Sequence, residues 1–156
     1  MKENKILKIV IIVVLIITIV DQLSKILVTR LTSKNIGNEY FGFEIVENTG
    51  MAFGFNSGNT KNIILSIFVI LMISSFIKNQ KNEIDTKTAI AISMVLGGGI
   101  SNLIDRIFRG GVLDFIKVLF IPNFNVADIC ICIGWVLLVI FLIIYTQNSI
   151  FSFHFT

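Results

Sequence analysis

A chain with one histidine has few ways to build a hydrolytic centre. His154 lies in the tail QNSIFSFHFT with nothing to pair with, so neither a His-Glu-x-x-His zinc site nor a Ser-His dyad is available. Cysteine is almost as scarce. Cys130 and Cys132 are the only two; two apart on a helix, they point in different directions, which argues against a disulfide or a metal clip and leaves small apolar fillers. Their depth in the sequence also argues against a lipid-modified N-terminal cysteine. Charge is thin: 15% of the 156 residues are charged, whereas 54% are hydrophobic. A soluble domain carries more charge. In so apolar a chain the net charge of +3 gives no reason to invoke nucleic acid.

What the sequence does have is long apolar runs. Four of them, at roughly 6–28, 60–77, 89–108 and 127–145, approach the length needed to cross a bilayer and leave little chain for a separate soluble domain. They predict one all-α membrane domain over 1–156, with outer segments at 29–59 and 109–126. The basic start MKENKILK resembles that of a signal peptide. The first run, however, leads into VDQLSKILV with no small-residue cleavage site, and is read as a retained helix. Lys2, Lys5 and Lys8, with Lys78, Lys81 and Lys87, place both termini in the cytoplasm by the positive-inside tendency.

With that topology the polar residues converge. Asp21 ends helix one, Asn48 precedes helix two, Asn102, Asp105 and Arg106 end helix three, and Asn125 and Asp128 open helix four, with Asp114 in the loop between. All fall at the outer face. The inner loop KNQKNEIDTK reads as a solvated mixed-charge turn and the tail as interfacial. In the first outer segment, EYFGFEIVEN has strand character and Gly50, Gly54, Gly58, Asn56 and Asn59 mark turns, which predicts a small sheet on the outer membrane surface with Tyr40, Phe41 and Phe43 at headgroup level.

Each motif has a plain structural reading beside a functional one. DQLSK puts Asp21 and Lys25 one helical turn apart, as an ion pair snorkelling to the interface would. In ENTGMAFG, residues 47–54, a turn with a hydrophobic anchor is the plain reading, though Asn48 could hold a peptide backbone. GGGISNLIDR, residues 97–106, offers small residues for helix contact, and Asp105 beside Arg106 reads first as an ion pair. In FNVAD, Asn125 suits an N-cap and Asp128 the third helical position, where an acid favours the helix dipole. Asp114 in VLDFI has no cap position and no basic neighbour except Lys117. Ser24 and Lys25 are adjacent and cannot face each other, and Ser101 with Lys117 is a forced dyad. A pair of carboxylates remains, one protonated to polarise a carbonyl and one ionised to activate water. Apolar neighbours favour a neutral Asp114, and the helix start favours a charged Asp128.

DQLSK, ENTGMAFG, GGGISNLIDRIFRGGVLDFI and IPNFNVAD, in this order on a four-helix chain, resemble the lipoprotein signal peptidases, also called type II signal peptidases. The resemblance spans nearly the whole chain. It implies an intramembrane aspartyl endopeptidase of the bacterial plasma membrane that cuts prolipoproteins before a diacylglyceryl-modified cysteine, without metal or cofactor. It also implies Asp114 and Asp128 as the catalytic dyad, lined or braced by Asp21, Asn48, Asn102, Asp105, Arg106 and Asn125. The expected partners are prolipoprotein substrates and membrane lipid, with the protein working as a monomer. Ser101 stands where the family usually has glycine, and the connection between the two aspartates is shorter than in some relatives. The competing reading is a small transporter or proton-relay subunit, which would string acids along the bilayer depth.

Overall fold

The computed structural model describes the backbone of residues 2–31, 36–50 and 58–154, and the side chains of 4–31, 36–50 and 58–145. The elements run α1 (Lys2–Leu31), β1 (Ile36–Gly37), β2 (Phe41–Asn48), α2 (Asn59–Gln80), α3 (Thr86–Phe108), β3 (Val112–Val118), β4 (Ile121–Phe124) and α4 (Val126–His154). All four helices are long and apolar enough to cross a bilayer. They extend past the apolar runs because backbone hydrogen bonding continues through polar residues such as Lys5, Thr29 and Lys78, where the hydrocarbon pattern stops.

The most apolar stretch of α3 is 61% buried inside the protein, against 17% for α1 and 11% for α2 and α4. The third helix is therefore the centre of the bundle, and the other three turn side chains such as Ile11, Leu15, Leu71 and Leu142 outward. In water that surface would be untenable; against lipid tails it is matched, and the chain is a multi-pass membrane protein. Glycines let α3 hold this place. A Cβ on Gly97 would lie 3.2 Å from the Val14 Cα of α1, and one on Gly98 would lie 2.5 Å from the Ala127 carbonyl oxygen of α4. Gly99 does not pack in this way: its nearest neighbour would be Ile70 at 3.9 Å, and it borders the open cavity described below.

Two details at the end of the bundle where α2 meets α3 depart from expectation. The loop KNQKNEIDTK is not simply solvated, since Ile84 is buried in the core with Ile6, Ile77 and Leu96. Asp85 is the N-cap of α3, its carboxylate accepting from the Thr88 amide at 2.8 Å. The tail helix continues to His154, whose side chain, with Gly54 and Asn56 of the outer segment, lies outside the described residues.

The sheet is antiparallel in the order β1-β2-β3-β4, and it draws on both outer segments rather than on the first alone. VLDFIKV is a strand, not a loop, because it has a partner: Asn48 pairs with Val112, Val46 with Asp114 and Phe41 with Val118. Phe43 stacks on Phe115, Tyr40 meets Phe120 edge to face, and Tyr40, Phe41 and Phe43 are exposed. β1 and β2 link α1 to α2, and β3 and β4 link α3 to α4, so the sheet sits at the end of the bundle where Asp21, Asp105 and Asp128 lie.

Candidate active site

Asp114 reaches the site from β3 and is 2% exposed. Asn48 Nδ2 donates to its Oδ2 at 3.0 Å and Asn125 Nδ2 to its Oδ1 at 2.7 Å. Burial pushes its pKa up to about 6, against the lowering effect of the Asn48 hydrogen bond and with some help from the negative charge of Asp128.

Asp128 arrives on the first turn of α4. The Asn125 amide donates to its Oδ2 at 3.1 Å, and Asn125 Oδ1 accepts from the Asp128 amide at 2.9 Å, which is a capping box. The cap expected from FNVAD is thus present, but it leaves Oδ1 free to accept from Asn102 Nδ2 at 2.8 Å. Asn125 Nδ2 also donates to Asn102 Oδ1 at 3.1 Å, so the buried Asn125 meets Asp114 through its side-chain amide and Asp128 through its backbone N–H.

The two aspartates border one cavity of about 1090 Å³, together with Asn48, Asn102, Arg106 and Gly99. Apolar side chains such as Val46, Ile129 and Ile133 form much of the rest. Among the described residues no cation pairs with either carboxylate, and no cluster of ligands for a metal exists.

Beside this pair lies a second acidic group of the opposite kind. Lys25, fully buried, sits 2.6 Å from both Asp21 Oδ2 and Asp105 Oδ2. Asp21 further accepts from Ser101 Oγ at 2.7 Å and, with Oδ1, from the Ala127 amide at the start of α4, at 2.9 Å. Asp105 accepts from Gln22 Nε2 at 2.9 Å and the Leu113 amide at 3.2 Å, and pairs with Arg109. The Asp21–Lys25 pair is therefore no snorkelling surface bridge. Nor does Asp105 pair with Arg106, whose Nη2 donates to the Gly50 carbonyl at 3.2 Å and whose Nε is buried with no partner among the described residues.

The remaining sequence candidates resolve simply. Lys117 pairs with Glu44 at 2.8 Å rather than with Asp114, and Ser101 is held by Asp21 and Gln22, which removes the Ser-Lys option. The ionisable groups around the cavity form one layer at one end of the bundle, which does not favour a relay across the bilayer.

The family model described as signal peptidase (SPase) II matches residues 13–144. A lipoprotein signal peptidase of Borrelia hermsii is 37% identical over 153 residues, covering 84% of this chain and 87% of its own. Another, from Dehalococcoides mccartyi, is 40% identical over 127 residues, covering 77% and 79%. The chain belongs to the signal peptidase II family. A solved bacterial membrane enzyme structure, obtained by the in meso method at 2.3 Å, superposes with a TM-score of 0.78 at 29% identity, covering 89% of this chain and 90% of its own.

Signal peptidase II enzymes are aspartic peptidases, and all the candidate residues from Asp21 to Asp128 fall inside the matched span. Three contributors escaped the sequence reading. Gln22 bridges α1 to Ser101 and Asp105, Asn59 Nδ2 donates to the Arg106 carbonyl at 3.1 Å, and Asn62 Nδ2 donates to the Thr49 carbonyl at 3.0 Å. The available signal was amide side chains on or beside membrane helices, where each must find a partner.

Proposed function

We propose that this protein removes the signal peptide from bacterial prolipoproteins, cutting before the diacylglyceryl-modified cysteine, with Asp114 and Asp128 as the catalytic pair. The observation that carries this is the joining of two carboxylates from separate elements at one apolar cavity, held by amide donors and, among the described residues, by no cation. Asp114 holds the proton, and Asp128, on the first turn of α4 where the helix dipole favours a charged acid, is the base. Asp128 takes a proton from water as the water oxygen bonds to the scissile carbonyl carbon, while Asp114 protonates the carbonyl oxygen. In the collapse the C–N bond breaks, Asp128 passes its proton to the leaving nitrogen, and Asp114 recovers its own from the hydroxyl. Asn48, Asn102 and Asn125 orient the pair, Asp21 and Asp105 brace the ends of α4 and α3, and Arg106 lines the substrate cavity.

The test is purified protein with a synthetic diacylated precursor peptide. Cleavage on the N-terminal side of the modified cysteine is expected; an uncut precursor in the presence of folded enzyme would sink the assignment. The protein works as a single four-helix domain and a monomer in lipid, with both termini cytoplasmic and the cavity at the extracytoplasmic face. The support is the basic cluster of Lys5, Lys8, Lys78, Lys81 and Lys87 at the opposite end from the cavity. With Cys130 and Cys132 replaced, a single cysteine at Lys117 should react with a membrane-impermeant thiol reagent in intact cells, and reaction only after lysis would reverse the orientation.

A further inference from the structure

Three asparagines present their NH₂ groups to the two carboxylates, and an amide can do this only while its oxygen is held elsewhere. For two of them the backbone does the holding. Asn48 Oδ1 accepts from the Gly50 amide at 2.9 Å, and Asn125 Oδ1 accepts from the Asp128 amide at 2.9 Å. Neither donor can turn away or be lost without unfolding a turn or a helix start.

Among the described residues, no backbone group donates to the oxygen of Asn102. Its Oδ1 accepts from Lys25 Nζ at 3.3 Å and from one hydrogen of the Asn125 NH₂ at 3.1 Å, whose other hydrogen goes to Asp114 at 2.7 Å. Lys25 is fully buried, and its charge is already met by Asp21 and Asp105 at 2.6 Å each. Asp105 in turn has Arg109. The contact to Asn102 is thus a third one that charge balance does not require.

We propose that Lys25 is a positioning residue for the catalytic pair: its ammonium pins the Asn102 carbonyl so that the NH₂ of Asn102 always faces Asp128. With the ammonium gone, the Asn125 NH₂ alone holds that oxygen among the described residues, and rotamers that turn it on the Asp128 carboxylate, a repelling acceptor in place of a donor, become more populated. The proposal rests on the assignment of Asp114 and Asp128 as the pair. It adds a link from α1 through α3 to the base on α4, and so gives Lys25 a part beyond neutralising its two acids.

The test must remove the pin without leaving an unpaired charge. Lys25→Met combined with Asp21→Asn takes away one positive and one negative charge, leaves Asp105 with Arg109, and lets Asn at 21 still accept from the Ala127 amide. The net charge facing Asp128 is then unchanged: Lys25 and Asp21 on α1 go together, while Asp105 and Arg106 on α3, Asp114 on β3 and Glu44 and Glu47 on β2 stay. Purified in detergent and assayed on the diacylated peptide, this variant is expected to lose about tenfold in kcat, with KM within about threefold. The acid limb of its pH profile should move to higher pH, because the carboxylate that must ionise has lost a secured donor. Lys25→Gln with Asp21→Asn, which restores a neutral donor to Asn102, should recover most of the rate.

The decisive comparison is with Asn102→Ala. If Lys25 acts through Asn102, adding the Lys25→Met and Asp21→Asn changes to Asn102→Ala costs less than about twofold more, since residues acting as a unit are not additive. Fully additive losses, or a Lys25→Met, Asp21→Asn enzyme with wild-type rate and pH profile, overturn the proposal. Should that variant fail to fold, Asn102→Asp decides, because it keeps a partner for Lys25 but puts an oxygen where the NH₂ faced Asp128. It must lose at least as much kcat as Asn102→Ala, and activity within threefold of wild type refutes the proposal. Because Asp114→Asn and Asp128→Asn are assayed beside these variants, an error in the catalytic assignment shows separately, as cleavage surviving in those two.

Discussion

Two groups of acids lie side by side at the C-terminal end of α3, and they are held in opposite ways. Asp21 and Asp105 share a buried lysine at 2.6 Å, with Arg109 as a second cation. Asp114 and Asp128 have amide partners and, among the described residues, no ion pair. A carboxylate fixed by a buried cation cannot take up a proton without stranding that cation, so the first pair is confined to structure. One held by neutral amides can change its protonation state without leaving a charge behind. Each of the four acids comes from a different element, and it is their partners that suit one pair to bracing and the other to changing protonation.

The sharpest way to break the comparison is at the amide-held pair. Asp114→Asn and Asp128→Asn should each remove cleavage, with a loss at or beyond the upper end of the ~10²–10⁴ ascribed to acid-base help, because the pair also generates the nucleophile. The double variant should be little worse than either single one. Folding should not suffer. The raised pKa of Asp114 means the folded state prefers its protonated form, so its contribution to stability is present below the ordinary carboxylate value and is lost as pH rises through about 6. At neutral pH Asp114→Asn should unfold no earlier than wild type on heating in detergent. Cleavage within tenfold of wild type by either variant would return that aspartate to a structural role.

At the cation-held pair the opposite outcome is expected. Lys25→Met alone leaves Asp21 buried with only neutral donors, and breaking a buried ion pair from one side costs about 3–5 kcal/mol. The thermal transition of the variant should fall, and with it the folded yield. Measured against Asp114→Asn on the same day, the two losses should be of different kinds: one in stability and one in turnover. A Lys25→Met protein with an unchanged transition would mean that the two acid groups do not differ in the way described.

Much of this could be read before the structure. The four helices followed from run length, and the convergence of Asp21, Asn48, Asn102, Asp114, Asn125 and Asp128 followed from topology, because helix ends on the same side must meet. What could not be read was partnership. Asp105 lies next to Arg106 in sequence but pairs with Lys25 and Arg109, since neighbours on a helix diverge by about 100° whereas residues a turn apart align. VLDFIKV looked like a loop because a strand is defined by what it pairs with, and β2 lies more than sixty residues away. Lys25 looked like a snorkelling lysine because nothing local reveals a carboxylate waiting on α3.

The finest expected effect separates the amide donors from the burial that surrounds them. Asn48 Nδ2 donates to Asp114 Oδ2 at 3.0 Å and favours the charged form, so it works against the burial that raises the Asp114 pKa to about 6. In the wild type, activity that needs a protonated Asp114 should decline as pH rises through that region, which makes it the alkaline limb of the kcat/KM profile. Asn48→Ala removes the donor, lets the pKa climb, and should carry that limb to higher pH while lowering the maximum rate, because the carboxyl is also less well oriented. A partner that merely fixed geometry would lower the rate and leave the limb in place. The kcat/KM profile of Asn48→Ala on the diacylated peptide checks this, and a limb that stays put or moves to lower pH would show that Asn48 does not set the protonation of Asp114. No such movement is expected from a change at the cation-held pair that leaves Asn102 anchored. Asp105→Asn, which keeps acceptors for Arg109 and Gln22, should therefore leave the alkaline limb where it is, and the contrast between that variant and Asn48→Ala is the smallest difference by which the two acid groups can be told apart.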